Sequence, residues 1–556
     1  KNKIKNGLKN IKVPIIHDYI RVLFTNSSFF CLFCSGSISQ AGNFFSEIAI
    51  MTKVEEFFAD TPHQGIALSL VFVAIFLPNL LLSPIAGTIA DLADRRVIMF
   101  LMDFIRVILV GCYILAENNF YVLMGLVVLV ESANAIFDPA RESMVPMVIP
   151  KEDLQISNAI ESLSWFCCSM LGSALGGFFT AQFGVRACFI ADAVSFLLSG
   201  ILAILLFFTP ELKDYKLIMK HGVDKVREMK SKEKLEKGEG EYELLEDDIE
   251  ITNEKIKEKV QPTEQEEEKE SDESTEIEEE VEKRDEEEKK NIPKKNLCLR
   301  LISGVKMSIV ELCRGVAFLL SNPFILIVAS IRGLASFQWA CSKFANVKYS
   351  DHVYVIGSSP AIFMSITRAL LGASSGMTPI LVERIIKPSS IHQFLVIILI
   401  AIFVSLLGDI IMSAAPHVSI YLIGATIEAM GGGVIWVFSS TIQQKLVPTN
   451  FLGRCFSYDI GIMVMSGFLF GGIICGVLYD FAGFTPRMLS ILTTVYSFLL
   501  VIFWCLFYLI FRKHANTYQP FIPTTTFPFV KYEKWSIFGA ASKKGDDEES
   551  AEIKEE

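Results

Sequence analysis

Five charged residues lie inside long apolar segments of this chain, where an isolated charge is costly. With Asp192 and Asp409, which have similar surroundings, they make a set of seven; the five are Glu47, Glu131, Arg332, Arg368 and Glu428. A charge at the centre of a bilayer costs about 2.5–3.5 kcal/mol on insertion scales, so such side chains usually face a cavity or a partner. Burial favours the neutral form of a carboxyl group, which a proton carrier needs. We therefore predict that Glu131 or Glu428 binds a coupling proton, with Arg332 or Arg368 as its partner or as a substrate anchor.

A purely structural role is the alternative for these charges, because opposite charges on neighbouring helices also hold a bundle together. Glu47 stands near the end of its apolar segment, and Asp409 has a similar place in a later one. Both of these carboxylates could therefore reach water.

A second group of charges is packed into a short turn between two apolar segments and the start of the second segment. Its members, with one glycine, are Gly87, Asp91, Asp94, Arg95, Arg96, Asp103 and Arg106. A charged turn between two membrane-length helices must lie at a membrane surface, and its arginines favour the cytoplasmic one. Asp103 and Arg106 are three residues apart, so a helix would place them on one face. The group is either a gate or a set of charges that only fixes the topology.

Twelve apolar segments carry these charges. A membrane span needs about 20 apolar residues. The candidates are residues 22–50, 64–86, 97–115, 119–138, 157–181, 186–208, 322–345, 353–382, 391–413, 417–438, 456–480 and 486–511. With 51% hydrophobic residues and a mean hydropathy of +0.43, the chain is too apolar for a soluble enzyme of its size. We predict an all-α membrane protein with twelve transmembrane helices in two pseudo-symmetric six-helix bundles.

The acidic residues are concentrated between residues 231 and 290. This segment is more negative than the whole chain, whose net charge is −11, so the remaining residues are mildly basic. A segment of this composition cannot bury a core. We expect a basic interfacial segment (1–21), an N-terminal six-helix bundle (22–211), an acidic, largely disordered insert (212–303), an amphipathic helix with a C-terminal six-helix bundle (304–512), and a polar tail (513–556). The insert is either a solvated linker or a docking segment for a cytosolic partner.

Lysine and arginine concentrate on alternate connections, including those with Arg95, Arg141 and Arg384. The positive-inside rule then places both termini and the insert on the cytoplasmic side of a plasma or organellar membrane. The sequence contains no nucleotide-binding G-x-x-x-x-G-K-S/T loop and no H-E-x-x-H metal pair. We therefore expect a protein without enzymatic activity, cofactor, metal site or nucleic-acid partner. We also expect it to be a monomer in the lipid bilayer.

The two halves of the chain repeat each other. Gly172-x-x-x-Gly176 followed by glycine recurs as Gly467-x-x-x-Gly471 followed by glycine, and a Val-Ile-Pro at 148–150 recurs as Leu-Val-Pro at 446–448. Small residues four apart allow two helices to approach closely. Because six helices separate the copies, both have the same orientation, and a substrate path is expected between them.

Three motifs resemble the major facilitator superfamily. The pattern G-x-x-x-D-x-x-x-R-R at Gly87–Arg96 resembles the loop between helices 2 and 3 of that family. The segment from Pro139 to Leu154 and the glycines after Gly172 resemble its drug:proton antiporter-3 group, which includes macrolide and siderophore exporters. The resemblance covers both predicted bundles, but neither the insert nor the tail.

The resemblance implies secondary active transport by alternating access, with the charges of the 2–3 loop latching the halves on the cytoplasmic side in the outward-open state. The expected cargo is a small amphipathic or drug-like molecule, exported in exchange for protons. Two alternatives remain: uptake or facilitated diffusion of a metabolite by the same fold, or a non-transporting subunit or receptor that acts through the insert.

Overall fold

The computed structural model describes residues 14–59, 61–150, 153–209, 212, 297–354, 359–513 and 515–521. The regular structure of these residues is helical, and they include no β-strand. The basic segment before residue 14, the insert from 213 to 296 and the tail beyond 521 lie outside them, so the expectations for those segments stay predictions. The chain divides into a large unit, Lys1–Leu212 with Gly304–Glu556, and a second unit, Lys213–Ser303, of which only a helical stretch at 297–303 is described.

Twelve long helices form the large unit. They are α1 Ser27–Phe58, α2 Gln64–Leu92, α3 Arg95–Ala116, α4 Phe120–Glu142, α5 Leu154–Phe183, α6 Val185–Leu205, α7 Pro323–His352, α8 Pro360–Ile386, α9 Ile391–Ala414, α10 Val418–Leu446, α11 (the consecutive segments Thr449–Phe456, Ser457–Val464 and Met465–Phe481) and α12 Pro486–Phe511. Shorter helices occupy Pro14–Thr25, Val145–Val148 and Leu206–Phe208, and a helix at Leu297–Ser321 precedes α7. We call α1–α6 the N-terminal half and α7–α12 the C-terminal half.

Eleven helices of the described chain are long and apolar enough to cross a membrane. α1 meets the same standard together with the helix before it, across a bend of 98°. α1 carries serine, glycine, glutamine and asparagine residues along its length, which lower its hydropathy. The number of spans is therefore eleven, or twelve when the bent pair is one span, and the predicted all-helical membrane fold is confirmed.

Some helices extend beyond the predicted apolar segments. α1 ends at Phe58 rather than at residue 50, and α7 ends at His352 rather than at residue 345. The added turns carry Glu55 and Lys348, which pair with each other in the interior and so do not need water. The charged turn is also shorter than predicted, because α2 continues through Asp91 to Leu92 and only two residues separate it from α3.

Helix packing follows the same plan in both halves. α1 packs on α5 and α6, and α7 packs correspondingly on α11 and α12. α2 packs on α4, as α8 packs on α10, and α3 packs on α6, as α9 packs on α12. The main contacts between the halves are α2 with α11 and α5 with α8, which are equivalent under the same exchange. The architecture is therefore two six-helix bundles related by a pseudo-twofold axis.

The repeated glycines explain this packing. A Cβ atom at Gly172 would lie 2.9 Å from the carbonyl oxygen of Ala41 in α1, and one at Gly471 would lie 2.8 Å from that of Phe337 in α7. Gly176 and Gly467 pack in the same way on α1 and α7. The next glycine in each copy, Gly177 or Gly472, instead faces α8 or α2 of the opposite half. Each motif thus fixes one contact within a half and one between halves.

The helices alternate in direction, so their connections fall on two faces. Face A carries the connections at residues 59–63, 117–119, 184, 353–359, 415–417 and 482–485, and face B carries the others. The largest buried core takes residues from both halves, including Leu68 and Phe72 of α2 and Phe344 of α7. Its α1, α2, α7 and α8 members lie in the parts of those helices toward face A, which indicates that the halves are closed together on that face.

Candidate functional site

Three charged side chains join the two halves near the middle of the molecule. Glu47 of α1 accepts hydrogen bonds from Arg368 of α8, at 2.5 Å from Nη1 to Oε2 and 3.1 Å from Nη2 to Oε1. Lys343 of α7 forms an ion pair with the same carboxylate. Their side chains are only 14–16% exposed. We call these three residues the central triad; each lies 8 to 11 residues from the face A end of its helix, which is roughly 12–17 Å.

Aromatic rings surround the central triad. The Lys343 ammonium lies 5.4 Å from the ring centre of Phe72 and 5.7 Å from that of Phe76, both on α2. Phe76 stacks on Phe468 of α11 with ring centres 4.7 Å apart. Trp339 continues the row, 6.5 Å from Phe468. The site therefore combines net positive charge with flat apolar surfaces, which suits a molecule that has both polar and apolar parts.

Glu131 of α4 has amide partners rather than an ion pair. Its carboxylate accepts hydrogen bonds from Asn134 at 3.2 Å and from Asn79 of α2 at 3.4 Å. It also lies within electrostatic range of Glu47 and Lys343. Glu131 is therefore close to the central triad without belonging to it.

The arginines pair differently from the sequence prediction. Arg332 donates to Asp459 of α11, with 2.8 Å from Nε to Oδ2, and to Ser440 at 2.7 Å, inside the C-terminal half. Arg368 pairs with Glu47. Neither arginine is the partner of Glu131 or Glu428, because the rotation of each helix, which sequence spacing does not reveal, decides which charges meet.

The expectation that Glu47 and Asp409 reach water is also corrected. Glu47 is held by two cations, and the Asp409 side chain is fully buried between α7, α9 and α12. Glu428 is 2% exposed and lies on α10, which packs against α9.

The charged turn at face B is held mainly by local bonds. Asp94 caps α3 by accepting from the Arg96 amide at 3.0 Å, and its carboxylate pairs with the Arg96 guanidinium at 2.8 Å. Arg95 donates to the carbonyl oxygens of Ala90 at 3.0 Å and Ser143 at 3.1 Å. The side chain of Asp91 lies outside the described part of the chain, and a Cβ at Gly87 would meet nothing within 4 Å.

Asp103 and Arg106 pair as their spacing predicts, but deep inside the N-terminal half rather than at its surface. Asp103 also accepts from Ser199 of α6 at 2.8 Å. The Arg106 guanidinium lies 4.2 Å and 4.3 Å from the ring centres of Phe137 and Phe196. Arg106 donates to Asn134, which in turn donates to Glu131, so a continuous chain of polar groups runs from Asp103 to Glu131.

A second set of bonds closes the halves at face A. The Asp480 carboxylate of α11 accepts from the amides of Gly65 and Ile66, both at 2.7 Å, and so caps the N-terminus of α2. The buried Lys348 ammonium of α7 contacts both oxygens of Glu55 of α1 at 2.9 and 2.8 Å. Ser69 donates to the carbonyl oxygen of Gly472 at 2.9 Å. We call these contacts the face A closure.

Sequence reasoning missed the face A closure and Lys343. Asp480 and Glu55 stand near helix ends, where charges usually meet water, so nothing in the sequence distinguished them from surface charges. Lys343 and Lys348 interrupt the apolar pattern of α7, and that interruption was the available signal.

The periphery of face A carries a separate cavity of about 300 Å³ beside Glu117 and Arg186. Arg186 donates to both oxygens of Glu117, at 2.8 and 2.9 Å from Nε, and this bonding lowers the pKa of that carboxyl group. A second cavity, of about 10 Å³, lies next to Lys343 and Arg368 of the central triad and has room for about one water molecule.

The sequence pattern of the Major Facilitator Superfamily matches residues 28–459. Two Bacillus subtilis (strain 168) proteins are similar over 182 residues: the uncharacterized MFS-type transporter YfiS, at 30% identity over 32% of this chain, and the uncharacterized MFS-type transporter YkuC, at 25% identity over the same share. The chain spans only 41% and 42% of those relatives.

Solved structures show the same fold at low sequence identity. A POT family transporter in complex with 5-aminolevulinic acid has a TM-score of 0.56 at 12% identity, covering 87% of this chain and 98% of its own. A bacterial homologue of the iron transporter ferroportin, in an inward-facing state, has a TM-score of 0.52 at 12% identity, covering 86% and 98%. The pattern match covers more than half of the chain and agrees with the helical architecture. This multi-pass membrane protein belongs to the Major Facilitator Superfamily.

Proposed function

We propose that the protein is a secondary transporter that moves a small molecule across a membrane by alternating access between its two halves. The central triad is the observation that supports this most, because its ion pairs join the halves halfway across the molecule. The face A closure lies on one side of it. The hydrogen bonds and ion pairs described between the halves lie at the triad or between it and face A, which supports a state closed at face A. α5 and α8 also touch on the face B side of the triad, where a Cβ at Gly376 would lie 2.7 Å from Cβ of Phe166.

Face B is proposed to be cytoplasmic. It carries Arg95, Arg96, Arg384 and Lys387 at its connections, and such residues favour the cytoplasmic side. The state described would then be closed on the side opposite the cytoplasm. The same assignment places both termini, the acidic insert and the Leu297–Ser321 helix on the cytoplasmic side. The division into a basic segment, two bundles, an acidic insert and a polar tail is part of this proposal.

The proposed cargo is amphipathic or drug-like, and the proposed direction is export in exchange for protons. The cations of the central triad and the rings of Phe76, Trp339 and Phe468 support a cargo with an anionic or polar group and an apolar body. Glu131 is the proposed proton acceptor in the N-terminal half, because it lies beside the triad with neutral amide partners. The motif resemblance to the drug:proton antiporter-3 group supports the same choice.

Flux through the full-length protein in liposomes tests the proposal. We would follow a panel of fluorescent amphipathic anions and cations, with a proton gradient imposed in either direction. Glu47→Gln should lower the flux of the transported dye at least about tenfold, because it leaves Lys343 and Arg368 largely uncompensated at low exposure.

Glu56→Gln is the matched control. Glu56 lies on the same helix, its side chain is 56% exposed, and its ion pair among the described residues is with Lys53 of that helix, so the flux of the variant should equal that of the wild type. Equal flux for Glu47→Gln and Glu56→Gln would contradict the role of the triad. Absence of flux for every dye, combined with a tight cytosolic partner for the full chain, would instead favour a receptor or subunit.

A further inference from the structure

Two buried carboxyl groups lie on two neighbouring helices inside the C-terminal half, away from the central triad. Asp409 of α9 is 0% exposed and Glu428 of α10 is 2% exposed. The two helices are in backbone contact there: a Cβ atom at Gly408 would lie only 2.7 Å from Cα of Glu428. Gly424, one turn before Glu428, would place a Cβ 2.9 Å from the carbonyl oxygen of Gly408. The two acids therefore belong to one tightly packed helix pair.

Neutral donors surround Asp409. Gln338 of α7 donates to its Oδ2 at 2.7 Å, and Ser497 of α12 donates to the same atom at 2.5 Å. The other oxygen, Oδ1, is buried and has no hydrogen-bond partner in the described part of the chain, and the same is true of Oε1 of Glu428. An unpaired buried oxygen on each acid indicates a missing ligand.

Basic side chains of the described residues do not supply a partner for these two oxygens. None of the ion pairs found among the described residues includes Asp409 or Glu428. The titratable groups that act on the pair are Tyr421 of α10 and Cys341 of α7, with Cys475 of α11 and the tyrosines Tyr349 and Tyr354 beyond them. All of these are neutral side chains at physiological pH. The arginine of the neighbouring α8, Arg368, is already bound to Glu47.

Two neighbouring carboxylates that are removed from water and lack a cation cannot both remain ionised. A proton resolves the difficulty twice: it removes one charge, and it converts one unpaired oxygen from an acceptor into a donor. We propose that Asp409 and Glu428 together form a proton-binding site that is occupied in this state. Proton binding by the pair is independent of the transport proposal, whereas any part in coupling rests on it.

Infrared difference spectroscopy on the purified full-length protein tests this site directly. A protonated carboxyl group has a C=O stretching band that a carboxylate lacks, and the band shifts in D₂O. At pH 7 the double variant Asp409→Asn with Glu428→Gln should lose a component of that band which the wild type has. The exposed Glu56→Gln serves as the control and should leave the band unchanged.

Thermal unfolding across pH supplies a second readout. Unfolding at neutral pH releases the proton that the folded pair holds, because exposed carboxyl groups ionise at about pH 4. The free energy of unfolding of the wild type should therefore fall as pH rises. The double variant cannot release that proton and should show a smaller slope. If the double variant misfolds, Glu428→Gln alone should weaken or shift the band, because it removes one of the two carboxyl groups that share the proton.

Two results would overturn the site. One is an unchanged carboxyl band and unchanged pH slope in both variants, which would mean that neither acid holds a proton. The other is a wild type without the band whose melting temperature falls when sodium is replaced by choline, which would assign a metal cation to the pair. Failure of the dye-flux experiment would leave both of these readouts intact.

Discussion

At the scale of single residues, the central triad is an imbalance of charge rather than a simple salt bridge. One carboxylate, Glu47, compensates two cations, Lys343 and Arg368, and all three are largely withdrawn from water. An anionic group of a cargo could share those cations, because the set lacks one negative charge. Removing the carboxylate leaves two cations facing each other, whereas removing one cation leaves an ordinary pair.

The residue types could be predicted from the sequence, but their partners could not. Charges within apolar segments identified Glu47, Glu131, Arg332, Arg368 and Glu428 as special. Glu47 and Arg368 are 321 positions apart, however, and no spacing rule connects residues on different helices. Local pairs are the exception, because three residues on one helix define a geometry, and Asp103 with Arg106 obeyed it.

The pH dependence of flux tests the proposed proton acceptor. Glu131→Gln should transport at a rate that no longer varies with pH, because glutamine reproduces the hydrogen bonds to Asn79 and Asn134 but cannot gain or lose a charge. The measurement is dye flux in liposomes between pH 5.5 and 8.5, roughly one to two pH units on each side of neutrality.

Glu56→Gln is the control for this prediction, because Glu56 is an exposed carboxylate near the face A end of α1, away from Glu131. Its flux should keep the wild-type pH profile. If Glu131→Gln also keeps that profile, Glu131 is not the coupling group. Loss of the profile in the Asp409/Glu428 double variant alone would place coupling in the C-terminal half.

At the scale of helices, the glycine repeats are the part of the fold that the sequence specifies most clearly. Gly172 and Gly176 hold α5 on α1, while Gly467 and Gly471 hold α11 on α7. Recurrence of the pattern predicted the two bundles, and the third glycine of each copy turned out to face the opposite half. The π-helix at Ser457–Val464 within α11 has no signal in the sequence; it contains Asp459, which bonds to Arg332 of α7, a partner that local preference does not reveal.

Gly472 should be intolerant of a larger side chain. A Cβ at this position would lie 2.7 Å from Cβ of Phe72 on α2 and closer still to its ring, so Gly472→Ala should force α2 and α11 apart. Overpacking of this kind typically costs about 1–3 kcal/mol, and the apparent melting temperature in detergent should fall by several degrees.

Gly453→Ala is the matched control on the same helix, because nothing lies within 4 Å of a Cβ at Gly453. Its melting temperature should not fall. Equal melting temperatures for Gly472→Ala and Gly453→Ala would show that the contact between α2 and α11 tolerates separation.

At the scale of the whole molecule, the two faces differ in how they are held. Asp480, Lys348 and Ser69 bond across the halves at face A, while the bonds described here for Asp94 and Arg95 at face B lie within the N-terminal half. Sequence length and hydropathy predicted about twelve long helices and their membrane-spanning character. They could not predict which face is closed, because the same helices must be compatible with both states.

The distance between the halves at each face tests alternating access most directly. Spin labels on Asn158 and Ile385 would report on face B, and labels on Phe183 and Ser359 on face A, with native cysteines replaced. We predict a short distance at face A and a long one at face B for the wild type in lipid. In Glu47→Gln a second population should appear, with face A longer and face B shorter. Distances that stay fixed at both faces, or that change at one face alone, would contradict the account.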